Sequence, residues 1–183
     1  DESKLPPFKL PDPLVLEDGK KVSTAEEWKS KGRPQTFALI EKEMFGQAPP
    51  RPPLSFKVEE APVPALGGKV LRKQVSISLN GKPDGPAMDL LLYMPAGATG
   101  PVPVVFGLNF NGNQGASKDP GIRLCRSWLR DDKKAGIENN KATEASRGCE
   151  AGRWQIEYAA SRGYGVATIC YCDIDPDFHD SWK

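Results

Sequence analysis

Two short stretches concentrate the side chains that could do chemistry. Gly107-Leu108-Asn109-Phe110-Asn111-Gly112-Asn113 closes the apolar run Val102–Leu108. Glycine and asparagine allow backbone angles that turn successive N–H groups toward one point, the arrangement that holds an anion or an oxyanion. The same composition also makes a plain turn rich in left-handed residues. The second stretch, Asp173-Ile174-Asp175-Pro176-Asp177-Phe178-His179-Asp180, follows the apolar run Val166–Tyr171. Four carboxylates and an imidazole within eight residues offer ligands to a hard cation. The glycine and distal glutamate of a calcium-hand loop are missing, however. Such aspartates serve equally to cap loop N–H groups and to line a pocket rim.

Familiar hydrolase signatures are scarce. No Gly-x-Ser-x-Gly nucleophile elbow occurs, and the string Gly148-Cys149-Glu150-Ala151-Gly152 carries glutamate at its centre. Glu150 precedes a predicted helix and reads as a first-turn charge that favours the dipole. The one histidine is His179. A cysteine nucleophile paired with it is conceivable, but no spacing selects that pair. Trp128, Trp154 and Tyr158, at helical spacing, read as core.

The elements that must position these residues follow from composition and periodicity. With 183 residues the chain has the length of one ordinary domain. Its 25 basic against 24 acidic side chains leave no nucleic-acid footprint. No apolar run approaches the roughly 20 residues of a membrane span. Eighteen glycines and eighteen prolines make turns abundant. Asp1–Leu10 lacks the charged-then-apolar pattern of a signal peptide. The four cysteines fit free buried thiols or a disulfide; Cys125 with Cys149 is open, whereas Cys170 and Cys172 sit near the limit of bridge geometry.

Prolines at 6, 7, 11 and 13 make residues 1–22 extended and irregular. Ser23 with Glu26 forms a capping box that predicts a helix over 24–31, ended by Gly32. A second helix starts at Pro34, carries Phe37, Leu39, Ile40 and Met44 as an apolar stripe, and stops at Gly46. Residues 54–68 read as extended and turn-rich. Val75, Ile77 and Leu79 alternate with Ser76 and Ser78, a half-buried strand that turns at Asn80–Pro86 and returns through Met88–Met94. Val102–Leu108, continuously apolar, is expected as a central strand covered on both faces. Helices are predicted at 121–130 and 151–161 and a buried strand at 166–171, while 114–147 stays unassigned. Hairpin, buried strand, helix and buried strand open an α/β fold. Because ligands bind at the carboxyl rim of such sheets, both chemical stretches fall at the right place.

Several strings together resemble the bacterial glucuronoyl esterases of carbohydrate esterase family 15. They are Arg33-Pro34 opening a helix that ends Met44-Phe45-Gly46, then Leu92-Tyr93-Met94-Pro95-Ala96-Gly97, then Pro103-Val104 through Asn113. The most specific are Arg147-Gly148, Arg153-Trp154-Gln155-Ile156-Glu157, Arg162-Gly163-Tyr164-Gly165-Val166-Ala167-Thr168 and Asp173–Phe178. The match covers about residues 12–183 and only the first half or so of a family member. Gln155 departs from the family's proline, and Cys170 and Cys172 stand where aromatic and glycine residues are commoner.

The resemblance implies the N-terminal part of an α/β-hydrolase three-layer sandwich, an antiparallel hairpin followed by parallel strands. Residues 1–68 would form an extended and helical lead-in, and 69–183 the first strands and crossover helix. It implies a serine esterase that cleaves the ester between 4-O-methyl-glucuronic acid on xylan and lignin alcohols. No cofactor is implied, nor any nucleic-acid or membrane partner, and the location is secreted or periplasmic. The catalytic Ser, the Arg after it, the acid and the His are expected downstream, supplied by the C-terminal part of the same enzyme. This leaves no catalytic residue in the chain and no metal ligand. Asn109, Phe110, Asn111, Gly112 and Asn113 are the expected wall or support of the active site, and Asp177 and Phe178 its mouth. An acetyl-xylan-esterase-like hydrolase and a non-catalytic carbohydrate- or metal-binding domain are the alternatives.

Overall fold

The computed structural model describes residues 2–7, 10–82 and 84–180. Positions 1, 8 and 9 of the extended N-terminus, and Pro83 in the turn at 80–86, lie outside the described residues. The chain divides into two compact units, Asp1–Arg51 and Pro52–Lys183.

In the first unit a 3-10 turn at Glu2–Lys4 precedes a small hairpin around Asp18-Gly19, with Val15 bridged to Lys21. Helix α1 (Ala25–Glu27) passes through a wider, π-type turn at Trp28–Gly32 into α2 (Arg33–Ile40), and a second such turn ends at Phe45. The capping box is displaced by one residue from the expected Ser23/Glu26 pair. Thr24 Oγ1 accepts from the Glu27 N–H at 3.1 Å, and the Glu27 carboxylate accepts from the Ser23 N–H at 2.9 Å. Thr24-Ala25-Glu26-Glu27 spells the same signature one position on. Gly32 does not end the helix. It is buried inside it, because a Cβ there would lie 2.5 Å from the Trp28 ring. Gly46, at φ +75°, does end it. The stripe Phe37, Leu39, Ile40 and Met44 is exposed.

The second unit is built on one mixed sheet. Its strands are β1 (Ser55–Ala65), β2 (Val70–Ser78), β3 (Ala87–Pro95) and β4 (Val104–Asn109). A two-residue ribbon, β5 (Ile137–Glu138) with β6 (Lys141–Ala142), precedes β7 (Gly165–Cys170). The order is β1-β2-β3-β7-β4, antiparallel up to β7 and parallel between β7 and β4. The turn-rich stretch 54–68 is thus mostly strand. Pro62 and Pro64 are tolerated in β1 because it is an edge strand, and its register slips twice between Val58 and Val63.

Of the two strands expected to be buried, one is and one is not. β7 is interior with all six residues buried, whereas β4 lies at the edge of the described sheet and leaves Val104, Val105, Phe106 and Leu108 about half exposed. A continuous apolar run signals a strand that is meant to be covered, but not whether the cover lies within the same segment.

One face of the sheet is covered. Helices α3 (Ala151–Trp154) and α4 (Ile156–Ser161) pack there, and Ile156 joins Leu91, Tyr93 and Val166 in the core. The expected single helix over 151–161 is broken by Gln155, which adopts a left-handed backbone at φ +43°. Trp154 is partly buried, but Tyr158 is exposed and Trp128 lies in a loop against Phe178, so these three do not form a common core stripe.

No helix forms over 121–130. Those residues belong to the long 113–147 excursion, which is stitched to the covered face by buried polar groups. Arg72 on β2 donates to Glu60 (2.7 and 2.8 Å) and to Asp119 (2.6 Å). The Gln74 amide donates to Gly121 O (3.0 Å) and accepts from Arg123 N–H (2.8 Å). Main-chain groups held by a sheet side chain in this way are withdrawn from helix formation. Beneath the excursion a second cluster gathers Leu129, Ala135, Ile137, Cys170 and Cys172.

Candidate active site at the carboxyl rim of the sheet

β4 and β7 run parallel and both end at one rim, with Asn109 opposite Cys170. The Asn109 amide donates to Asn113 Oδ1 (2.8 Å) and Thr168 Oγ1 (2.9 Å), and Asn113 donates to the carbonyl of Asp89 (2.7 Å). These bonds fasten the loop after β4 to β7 and β3. Asn109 Oδ1 is buried and has no hydrogen-bond partner among the described residues. Gly112 is required twice over: its φ is +85°, and a Cβ would meet Gln114 Oε1 at 2.5 Å and Cys125 Cβ at 2.6 Å. Asn109, Gly112 and Asn113 therefore lie buried as support, while Phe110 is exposed and Asn111 half-buried.

Phe110 and Asn111 line a groove of about 280 Å³ with Arg130, Asp131, Asp132, Tyr171, Cys172 and Asp177. Phe110 and Tyr171 meet with ring centroids 5.0 Å apart. Arg130 donates to Asp177 at 2.9 Å. Asp177 thus borders the same groove as the expected wall, and Phe178 packs beside it on Trp128, centroids 5.4 Å apart. Burial, with Cys172 and Asp177 adding, pushes the Tyr171 phenol up, so it stays a neutral hydrogen-bonding group. Burial likewise pushes the Cys172 thiol up to about 11. Arg130, Tyr171 and Asp132 carried no motif in the sequence; they meet only because the 113–147 excursion folds back over the rim.

The acidic stretch does not converge on a point. Asp173 is turned inward and accepts from Ser127 Oγ (2.6 Å) and the Asp89 N–H (3.0 Å), and burial pushes its carboxyl up. Asp177 faces Arg130, and His179 lies exposed, 3.6 Å from Asp180. The donor atoms that do gather are Cys125, Cys170 and Asp173, all within 4.8 Å of one another. All four cysteines are free thiols. Partial desolvation of its sulfur and the Glu150 charge push the Cys149 thiol up, the opposite of what a nucleophile paired with an imidazole needs.

The string Gly148–Gly152 is scaffold. Gly148 N–H donates to Gln114 O and Glu150 N–H to Gly115 O, both at 2.9 Å. The start of α3 is thereby pinned beneath the loop after β4. Gln114 completes the support by donating to Asn111 O (2.6 Å) and accepting from Cys125 N–H (3.1 Å).

A mixed sheet with β4 and β7 parallel, a glycine-asparagine loop after β4 and helices packed on one face fits the α/β-hydrolase fold. No family model matches the sequence, but individual relatives do. A carbohydrate esterase, MZ0003, from an unknown prokaryotic organism is 51% identical over 98% of this chain. A promiscuous CE15 esterase from a marine bacterial metagenome superposes with TM-score 0.84 at 52% identity over 97% of the chain. A glucuronoyl esterase from Solibacter usitatus gives TM-score 0.86 at 44% identity over 98%. This chain spans 41%, 44% and 45% of their respective lengths. The segment is similar to carbohydrate esterases, CE15 members among them, and spans less than half of their length.

Proposed function

We propose that this chain is the first part of a serine esterase that hydrolyses the ester between 4-O-methyl-glucuronic acid on xylan and a lignin alcohol. The observation that carries the reading is 51–52% identity to carbohydrate esterases, sustained over nearly the whole segment. The reaction is acyl transfer to water, with the Ser, its neighbouring Arg, the acid and the His supplied by the rest of the polypeptide. The present residues build one side of that site. Phe110 and Asn111 form its wall, Asn109, Gly112 and Asn113 hold the wall in place, and Asp177 and Phe178 border the mouth. In α/β hydrolases the corresponding loop contributes an N–H to the oxyanion hole.

Two features fit completion by further chain. Among the described residues β4 presents an unpaired strand edge with half-exposed apolar side chains. Asn109 Oδ1 is an acceptor without a donor among the described residues, which costs about 1–3 kcal/mol unless one arrives. Because its substrate is a cell-wall polymer, the enzyme acts outside the cytoplasm, secreted or periplasmic.

The test is hydrolysis of an alkyl or aryl glucuronate ester, with acetylated xylan alongside, by the whole polypeptide that carries this segment. Glucuronate ester turnover is expected, and Asn111→Ala is expected to lower it at unchanged thermal stability. Activity on acetylated xylan alone would replace the reading with an acetyl-xylan esterase, the alternative that the promiscuity of a close relative makes worth measuring.

A further inference from the structure

A second cleft lies on the same rim, further along the sheet. Because β3 is antiparallel to β7, the start of β3, the end of β2 and the start of β1 all come to the rim where β4 and β7 end. The register places Ser55, Ser78 and Ala87 in one cross-strand row and Lys57, Ser76 and Asp89 in the next. Residues paired across strands share a face, so these rows floor a trough. Serine and alanine leave it open, whereas the longer Arg72 and Gln74 on the same face of β2 are already engaged by the excursion. Arg126, Ser127 and Asp173 close the far side. The resulting cleft encloses about 680 Å³, the size of a small-ligand site.

Its chemistry is that of hydroxyl recognition. Lys57 and Arg126 line it with three carboxyl groups, Glu59, Asp89 and Asp173. Arg123 behind them pairs with Glu59 and Asp89 at 3.7 and 3.8 Å, so the charges balance and an anionic ligand gains no net attraction. Arg126 uses one nitrogen on Asp89, at 3.2 and 3.4 Å, and keeps its other N–H donors; Lys57 holds Glu59 at 3.2 Å with donors to spare. Ser76 and Ser127 are committed to Asp89 and Asp173, both at 2.6 Å, which fixes those carboxyl groups as oriented acceptors. Fixed acceptors beside spare donors suit a neutral polyhydroxylated ligand.

The cleft also has an address. Arg126 and Asp173 line it, while Arg130, Tyr171 and Asp177 line the groove of the candidate active site, so the same two segments separate the pair. From β2 to β4 the order crosses three strand spacings, about 14 Å. That is a polymer's reach and not a monosaccharide's. We infer that this cleft is a distal subsite for the neutral xylan backbone, gripping the polysaccharide while its uronic ester branch enters the groove beside Phe110 and Asn111. The inference rests on the esterase reading above.

The experiment uses the whole polypeptide, with the exposed pair Lys57→Ala/Arg126→Ala introduced together. On polymeric glucuronoxylan–lignin ester kcat/KM is expected to fall about tenfold through KM, the usual weight of hydrogen bonds to charged groups. On a small glucuronate ester it should stay within about twofold of the parent. Binding of xylohexaose, followed calorimetrically, should weaken in step. Equal loss on polymer and small ester, unchanged polymer kinetics, or no xylohexaose binding by the parent enzyme would each overturn the subsite. Absence of hydrolysis on every ester, with xylohexaose still bound, would instead overturn the esterase reading and leave the cleft standing.

Discussion

Tyr93, buried at the centre of the sheet, donates a 2.7 Å hydrogen bond to Asp119 in the excursion that covers it. The other Asp119 oxygen takes Arg72 Nη1 at 2.6 Å and the Gly121 N–H at 3.0 Å. Burial raises the Asp119 carboxyl, but the hydrogen bonds from Tyr93 and Arg72 outweigh it and hold its pKa below the usual carboxylate value. Asp119→Ala strips both partners and is expected to cost about 3–5 kcal/mol, the range for breaking a buried pair, measured by denaturant unfolding.

The same carboxylate sets an acid dependence. Its folded pKa is depressed, so its stabilisation is complete above the unfolded value near 3.9 and disappears as pH falls through the folded value. Thermal unfolding scanned downward from pH 5 should show a steep loss in the parent. Asp119→Asn should start lower at pH 5 and fall less below about pH 4.

Gly112→Ala places a side chain on a left-handed backbone and within 2.6 Å of the Cys125 side chain. A cost above about 2 kcal/mol is expected from strain and overpacking combined. Mobility of the Phe110–Asn111 wall should rise with it, read as faster amide exchange at those two residues.

Thiol reactivity should follow burial. Cys149 is exposed, Cys125 half-buried, and Cys170 and Cys172 buried. Alkylation of the native protein with peptide mapping should mark Cys149 first and Cys170 and Cys172 only on unfolding. Because partial desolvation of its sulfur and the neighbouring Glu150 charge raise the Cys149 thiol, its labelling rate should still be climbing above pH 9.

Gln155→Gly removes the left-handed strain between α3 and α4 and forgoes one exposed hydrogen bond to Gly152 O. A gain of about 0.5–1 kcal/mol is expected, seen as a raised melting temperature. A loss would mean that the side-chain bond, and not the backbone, holds the break.

The sheet was largely legible because its signals are local. Alternation at Val75–Leu79 and the apolar runs at 102–108 and 166–171 marked β2, β4 and β7, and glycine-asparagine chemistry marked the loop after β4. What escaped was set by distant partners. Gln74 decides the path of residues 121–123, so no periodicity there could reveal it. β1 hid behind Pro62 and Pro64, which an edge strand permits. Arg130 and Tyr171 come from segments 41 positions apart, brought to one groove only by the long excursion.

Gln74 holds that excursion by hydrogen bonds to main-chain atoms, Gly121 O and Arg123 N–H. The clasp is therefore blind to the letters beyond Gly121, which must stay small because a Cβ would lie 2.0 Å from Arg72. Exchanging Arg123 or Arg126 removes ion pairs to Glu59 and Asp89 but leaves this main-chain clasp in place. A fixed latch under a rewritable surface lets the lining of the cleft change while the fold stays as it is.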